Sequence, residues 1–243
     1  MRPARLDDNY DFRREQTMTN TLHRSGPPES FRDDFIVFIR NSKGRNDVGS
    51  IPKLKEFLRT ALRHRPVTIS QYRFGSTVRP AEHLNPRIHW TRPVQDLTPE
   101  QIIEAITKDH TVAAIFDTPE AMASFLREVK AADWGLSVNV AGLTAPVHAC
   151  AKRAGIVRHS VEYSLGFQGA LDRLPERPVL ELSTMCGHSM VSPNLARKML
   201  EWVREGRRTP EQAAAYLGRF CSCGIFNPAR AVRLLEAAQR GNR

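Results

Sequence analysis

The sequence predicts an α/β protein in which helices cover a mixed sheet, as a two- or three-layer sandwich, followed by a C-terminal three-helix segment carrying a cysteine site. Three observations support this fold class. The chain has 243 residues, 41% hydrophobic and 26% charged, which is typical of a globular protein with a sizeable core. Strand-like and helix-like stretches alternate from Phe35 to Ser183. After Ser183 no strand-like stretch follows, and three helix start signals appear instead.

This pattern divides the chain into three parts. Residues 1–30 are polar, lack hydrophobic periodicity and end in a Gly-Pro-Pro turn signal, so we expect a flexible N-terminal extension there. Residues 31–183 are expected to form the α/β domain. Residues 184–243 are expected to form a helical, cysteine-rich segment that binds a metal or a cluster.

The first half of the α/β domain begins with the apolar run of residues 35–39, which is typical of a buried strand. A helix capped by Ser50 is predicted, because Pro52 lies in its first turn and apolar side chains recur at helical spacing behind it. Residues 67–74 alternate as a half-buried strand does. The stretch 80–93 holds three prolines and two histidines, so we expect a loop.

The second half repeats the alternation. Helices are predicted from Thr98, Thr118 and Thr144; in the first two, a capping threonine is followed by proline. The strands of this half are predicted at residues 112–116, 136–140, 159–165 and 179–183. Asn139 is a polar residue within an otherwise apolar strand, so either its sheet face is solvated or Asn139 lines a site.

Three helix starts after Ser183 share one pattern, in which a capping residue is followed directly by proline, at Ser192, Thr209 and Asn227. Proline suits the first helical position because its missing N–H would be unpaired there anyway. Gln212, three residues after Thr209, completes a capping box. We therefore expect three successive helices at the C-terminal end of the chain.

The connections between these elements contain three of the four cysteines of the chain. Cys186 precedes one helix start, and Cys221 and Cys223 precede another. The positive end of a helix dipole lowers the pKa of a thiol and favours anionic sulphur. A glycine directly follows Cys186 and Cys223, which lets the backbone approach a bulky inorganic group. If the two turns converge, three thiolates meet with His188 close by.

The cysteine spacings indicate which group would bind there. Structural zinc usually takes cysteines separated by two to four residues, whereas here the spacings are Cys-x-His and Cys-x-Cys. Three cysteines with an open fourth position suit a [4Fe-4S] cluster, with His188 as fourth ligand or as acid/base. An accessible iron acts as a Lewis acid, so we expect a lyase, dehydratase or desulphidase. Zinc, catalytic or redox thiols, and unliganded cysteines are the alternatives.

Two further segments hold candidate substrate contacts. The proline-rich loop contains Arg87, which can bind a carboxylate or phosphate, with His83 as a further contact and His89 as a contact or general acid/base. Asn41 and Lys43 follow the first strand, where open α/β sheets place ligand loops. The alternatives are a rigid surface loop in the first case and an ordinary strand-to-helix connection in the second.

The charge of the chain favours an anionic ligand. Lysines and arginines number 36 and acidic residues 26, and the formal net charge is +10. The excess lies in two blocks, with 12 basic and 5 acidic residues in 35–100 and 11 and 5 in 177–243. Only 7% of residues are aromatic, which disfavours a nucleic-acid stacking surface. An anionic small-molecule substrate and an anionic cluster fit the charge better.

The composition also disfavours several other classes of protein. Four cysteines are too few for a disulfide scaffold, and no secretory signal or membrane-length apolar run is present, so we expect a cytoplasmic protein without a membrane partner. A homo-oligomer stays open. Besides the enzyme, we keep a binding module stapled by zinc or a cluster, contacting nucleic acid or protein, and an electron or cluster carrier.

Overall fold

The structure, a computed structural model, describes residues 16–17, 23–71, 97–107, 111–164, 166–221 and 224–240. Its strands are β1 (Gln16–Thr17), β2 (Phe35–Arg40), β3 (Thr68–Gln71), β4 (Val112–Phe116) and β5 (Ser137–Leu143). Four helices lie along the first part, α1 (Ser50–Arg63), α2 (Pro99–Glu104), α3 (Pro119–Ala132) and α4 (Thr144–Arg153). Four more follow, α5 (Arg177–Thr184), α6 (Pro193–Arg204), α7 (Pro210–Gly218) and α8 (Pro228–Arg240).

The strands form an antiparallel sheet in the order β5-β2-β4-β3, which the short β1 extends along the end of β5. In the register, Phe35 of β2 pairs with Phe116 of β4, and Phe38 pairs with Asn139 of β5. The α/β class is confirmed, whereas the expected mixture of strand directions is wrong for the described strands, because every one of their pairs is antiparallel. An alternation of strands and helices along the chain is compatible with parallel and with antiparallel pairing, so this pattern does not determine the strand directions.

Both faces of the sheet are covered by helices, which explains why β2 is apolar along nearly its whole length. Phe35, Val37 and Ile39 point into a core shared with α1 to α4. Ile36 and Phe38, on the opposite face, point into a second core shared with α5 to α8. The helices and the sheet therefore make three layers, with a separate core on each side of the sheet.

Two predicted strands are wrong. Residues 179–183 belong to helix α5, whose start signal is Pro178 at the beginning of the helix. The run Val-Leu-Glu-Leu-Ser alternates like a strand, but Glu181 within it is buried against an arginine of α8, so tertiary contacts decide the structure. In the predicted strand 159–165, the described residues 159–164 show a single β-bridge at Tyr163, and most of them are exposed.

Several helix start signals are present as the sequence predicts. The Thr98 side chain accepts the Gln101 N–H, and the Gln101 side chain accepts the Thr98 N–H, which is a capping box. The same reciprocal pair joins Thr209 and Gln212. Ser50, by contrast, is the first residue of α1 rather than its cap, and its buried hydroxyl accepts a hydrogen bond from Asn41. No helix of the described part is both long and apolar enough to cross a membrane.

Candidate metal centre

Cys186 and Cys221, the two turn cysteines among the described residues, lie in the same core. Cys186 follows the end of α5, and Cys221 lies between α7 and α8. Both side chains are fully buried, and both belong to the apolar cluster that fills the space between the sheet and α5 to α8. The two turns, although distant in sequence, therefore contribute to the same apolar core.

The turn after α5 is shaped around the Cys186 sulphur. The Met190 N–H donates to the Cys186 Sγ at 3.0 Å, and the Gly187 N–H donates to the Thr184 carbonyl at 2.8 Å. Gly187 has φ 73° and Ser189 φ 56°, so the turn uses left-handed backbone conformations that glycine adopts readily and serine rarely. The Cys186 sulphur therefore accepts a backbone hydrogen bond from within its own turn.

The turn after α7 is equally tight. The Cys221 N–H donates to the Gly218 carbonyl at 3.0 Å, and the Gly224 N–H donates to the Cys221 carbonyl at 3.3 Å. Gly224 has φ 73°, and Phe226 behind it is buried beside Gly218. The Asn227 side chain then accepts the Arg230 N–H at 3.0 Å and so caps α8. Cys223 lies outside the described residues.

The Cys186 turn has one solvent-facing side. His188, Ser189 and Met190 are exposed, although Cys186 and Gly187 are buried. The turn therefore lies at the boundary between the apolar core and the surface. His188 is thus an exposed residue of this turn, two positions after the buried Cys186.

The predicted substrate contacts fall in other places. Asn41 donates to the Ser50 hydroxyl at 2.9 Å, and Lys43 is exposed in the following turn. Asn46 of that turn donates to the Gly135 carbonyl at 2.7 Å, which ties it to the connection between α3 and β5. The hydrogen bonds that define this loop thus run to α1 and to Gly135. His83, Arg87 and His89 lie outside the described residues.

Within the described residues, no group of three or more histidine, cysteine, aspartate or glutamate side chains could hold a metal ion. Cys186, His188 and Cys221 therefore do not form such a group, whereas the predicted set of three cysteines includes Cys223, which lies outside the described residues. The described part contributes two of the three proposed sulphurs. It also shows how the backbone of the turns around Cys186 and Cys221 is folded.

A buried charge network adjoins the cysteine turns, and the sequence analysis did not anticipate it. Asp34, directly before β2, pairs with Arg230 of α8 at 3.0 Å and with Arg24. Asn227 also donates to Asp34, at 2.9 Å, and Glu181 of α5 lies 3.5 Å from Arg230. All five side chains are buried. Glu181 within an apolar run and Asp34 beside the apolar β2 were the only local signals of such a network.

The charges in this network shift one another's pKa. Burial raises the pKa of Asp34, but the positive charges of Arg24 and Arg230 outweigh it and hold that pKa below its usual value. Burial lowers the pKa of Arg230 to about 10, against the opposing attraction of Asp34. Arg230 therefore stays charged at neutral pH, and its guanidinium also stacks 3.9 Å from the centre of the Phe31 ring.

The network positions both cysteine turns. Glu181 lies on α5, shortly before Cys186, and Arg230 lies on α8, shortly after Cys221. The network therefore joins the two helices that flank the cysteine turns. The segment before β2 is hydrogen-bonded to the same place, with the His23 N–H donating to the Gly187 carbonyl at 2.8 Å. Residues 23–30, expected to belong to a flexible extension, include the buried Arg24 and Ser25 and pack against the first cysteine turn.

Comparison of the chain with protein-family models, curated proteins and solved structures finds no match. A functional assignment therefore depends on the geometry of the two cysteine turns and of the network that supports them.

Proposed function

We propose that this chain is an iron–sulphur enzyme whose [4Fe-4S] cluster is held by Cys186, Cys221 and Cys223. The observation that supports this most directly is the burial of Cys186 and Cys221 in one apolar cluster, each in a tight turn. Thiolate ligands of iron–sulphur clusters commonly lie in such apolar surroundings, with backbone N–H groups directed at sulphur. The Met190 N–H provides that interaction at Cys186.

A cluster fits this part of the chain better than a single zinc ion. The Cys-x-Cys spacing of the second turn is short for two ligands of one tetrahedral ion, but it lets neighbouring sulphurs reach different irons. Three cysteine ligands leave one iron open, and the exposed side of the Cys186 turn is where that opening would face solvent. The basic block of residues 177–243 suits an anionic cluster and an anionic substrate.

The proposed chemistry is a lyase, dehydratase or desulphidase reaction. When bound, the cluster would supply a Lewis-acidic iron for a substrate hydroxyl, carboxylate or sulphur. His188, at the exposed rim, would deliver or remove the proton that accompanies departure of the leaving group. Arg87, His83 and His89 are proposed to bind the anionic groups of the substrate. The reduced thiols and the cluster suit a reducing compartment, so we propose a cytoplasmic location.

Anaerobic purification with iron and acid-labile sulphide analysis tests the assignment. We expect about four irons and four sulphides per chain, and loss of the cluster on Cys186→Ser, Cys221→Ser or Cys223→Ser. Cys150→Ser is the matched control, because Cys150 is also buried but lies in the core on the other side of the sheet, where its thiol donates to the Pro119 carbonyl at 3.3 Å. A colourless protein with stoichiometric zinc, unchanged after anaerobic reconstitution, would contradict the proposal.

A structural metal centre is the second candidate, and the complete burial of Cys186 and Cys221 favours it. In this case zinc or a cluster only fastens α5 to α8, and the basic block contacts an anionic partner such as nucleic acid. It predicts that binding to nucleic acid weakens steeply with salt. A cluster carrier would instead show a reversible redox couple. Substrate-induced change in the cluster spectrum distinguishes the enzyme from both.

A further inference from the structure

The connection between α4 and α5 spans residues 154–176. Its described residues contain one short 3-10 helix, Leu171–Arg173, and a single β-bridge at Tyr163. Connections longer than about 12–15 residues with so little secondary structure are uncommon in compact domains, and many of them are binding loops. This connection is therefore a place to look for an interaction surface.

The connection exposes apolar side chains that a folded chain usually buries. Eight large apolar side chains are exposed in the described part, and five of them lie here: Val157, Val161, Tyr163, Phe167 and Leu171. Val157 is 91% exposed. Exposed apolar side chains concentrated in one segment are typical of a surface that another protein covers.

Residues 157–163 have the pattern of a strand but lack a partner along most of their length. All seven are exposed, and the backbone from residue 156 to 164 contains no turn or bend. Valine or tyrosine occupies positions 157, 161 and 163, whereas positions 158, 160 and 162 are polar, so the two kinds of side chain point to opposite faces of an extended chain. The backbone groups of residues 157–161 form no hydrogen bond within the described part. Such a backbone is a template for pairing with another strand.

The sheet does not supply that partner among the described residues. Residues 157–162 and residues 138–140 of β5 line a common cavity of about 360 Å³. No backbone hydrogen bond joins residues 157–161 to β5. Asn139 thus lines a cavity, which is one of the two alternatives that the sequence left open. The partner of residues 157–161 must therefore come from outside the described sheet.

The sequence of this stretch is complementary to itself when two copies pair antiparallel. With Ser160 opposite Ser160 of a second copy, Arg158 lies opposite Glu162, and Val157 lies opposite Tyr163. Opposite charges and pairs of an aromatic with a β-branched side chain both stabilise neighbouring antiparallel strands. Sliding one copy by two residues, the smallest shift that keeps the apolar side chains on one face, places Arg158 opposite a serine instead. The charges therefore favour one register and a second copy of this chain as the partner.

We propose that two copies of this chain associate through residues 157–163, which pair as antiparallel strands about a two-fold axis at Ser160. Arg158 of each copy then lies opposite Glu162 of the partner subunit, and the apolar side chains of both copies share one face. The same segment of both copies is buried, as in other closed two-fold contacts. The β-bridge at Tyr163 occupies one edge of the backbone there, and the second copy would pair along the other. This proposal does not depend on the cluster proposed above.

Sedimentation velocity of the full chain over a range of concentrations tests the proposal, and we expect a monomer–dimer equilibrium. Arg158→Glu places like charges opposite each other at both symmetric pairs, so the dissociation constant of the dimer should rise roughly tenfold or more. Glu162→Arg should have the same effect. Arg45→Glu is the matched control, because it makes the same change of charge at an exposed residue in the turn between β2 and α1.

Mixing the two variants separates lost pairing from lost folding. In the mixture every reversed side chain lies opposite a charge of the other sign, so Arg158→Glu and Glu162→Arg chains should form a mixed dimer about as tightly as the wild-type chain. Misfolded chains would not recover in this way. Hydrogen exchange in the peptide of residues 157–163 should also be slower in the wild-type dimer than in Arg158→Glu, because pairing protects backbone N–H groups.

Four outcomes would each overturn the proposal. They are a wild-type chain that stays monomeric up to its solubility limit, a dimer that Arg158→Glu weakens no more than Arg45→Glu does, variants that form no mixed dimer, and equal hydrogen exchange of residues 157–163 in dimer and monomer. Dimerisation should persist in Cys186→Ser, so failure of the metal proposal is distinguishable from failure of this one.

Discussion

The two faces of the sheet are built differently. The face toward α1 to α4 is packed with apolar side chains, including Phe57 and Phe125, whose ring centres are 5.0 Å apart. The face toward α5 to α8 also has an apolar core, but it contains the two buried turn cysteines and adjoins the buried charges of Asp34, Arg230 and Glu181. Apolar packing suffices for stability, whereas buried charges are stabilising only when all of them are paired. The stability of the second face therefore depends on keeping its buried charges paired.

Removing the charge of Asp34 should disturb this arrangement most. Asp34→Asn leaves Arg24 and Arg230 buried without their carboxylate, so we expect the free energy of unfolding to fall by about 3–5 kcal/mol. Urea denaturation measures the change. Asp33→Asn is the matched control, because the side chain of the neighbouring Asp33 is 47% exposed and lies 3.6 Å from that of Arg233, so loss of its charge should change stability by less than about 1 kcal/mol. Similar effects in the two variants would show that the buried network has no special weight.

Truncating a core side chain on the other face should lower the free energy of unfolding by almost as much. It should, however, leave the metal content unchanged. Leu54→Ala opens a cavity beneath α1, where Leu54 is fully buried, and should lower the free energy of unfolding by about 3 kcal/mol. Metal content, measured after anaerobic purification, should stay at the wild-type level because the substitution lies across the sheet from Cys186 and Cys221. Loss of metal in folded Leu54→Ala protein would mean that the two faces are not independent.

The smallest expected effect is a difference between the two faces in how far acid lowers the free energy of unfolding. The pKa of Asp34 in the folded protein is lowered, so its charge stabilises the fold fully above the unfolded pKa of about 3.9. That contribution is lost as pH falls through the lower folded value, by about 1.4 kcal/mol per unit of pKa difference. Urea unfolding of wild-type protein between about pH 5 and pH 2 should show this decline. Asp34→Asn should show a shallower decline and Leu54→Ala the wild-type slope; parallel curves for wild type and Asp34→Asn would refute this account.

Local signals predicted much of the fold. The apolar run of β2 and the paired side chains at Thr98 and Gln101 are each specified by residues a few positions apart. Such patterns predict elements well because the interactions that form them are local. The strand expected at 179–183 failed for the opposite reason, since Glu181 is buried by its contact with Arg230, far away in the sequence.

The candidate centre was only partly predictable. The glycines after Cys186 and Cys223 and the helix starts nearby were visible in the sequence, and the structure buries Cys186 and Cys221 in one core. The contribution of residues 23–34 was not visible, because Arg24 and Asp34 lie in polar sequence whose burial depends on α8. Charge pairs between residues that are far apart in the sequence leave no periodic pattern of residue types. A role for residues 23–34 could therefore not be predicted.

The pairing of Asp34 with Arg230 also fixes an order of events during synthesis. The two residues are 196 positions apart, so the carboxylate leaves the ribosome long before the guanidinium that neutralises it. At about 5–20 residues per second, that interval lasts about 10–40 seconds. The residues of the sheet and of α1 to α4 precede α8 in the chain and are synthesised earlier, whereas the cysteine-bearing layer can close only after α8 has been made. Until α8 has been made, the core that holds Cys186 and Cys221 lacks one of the helices that enclose it.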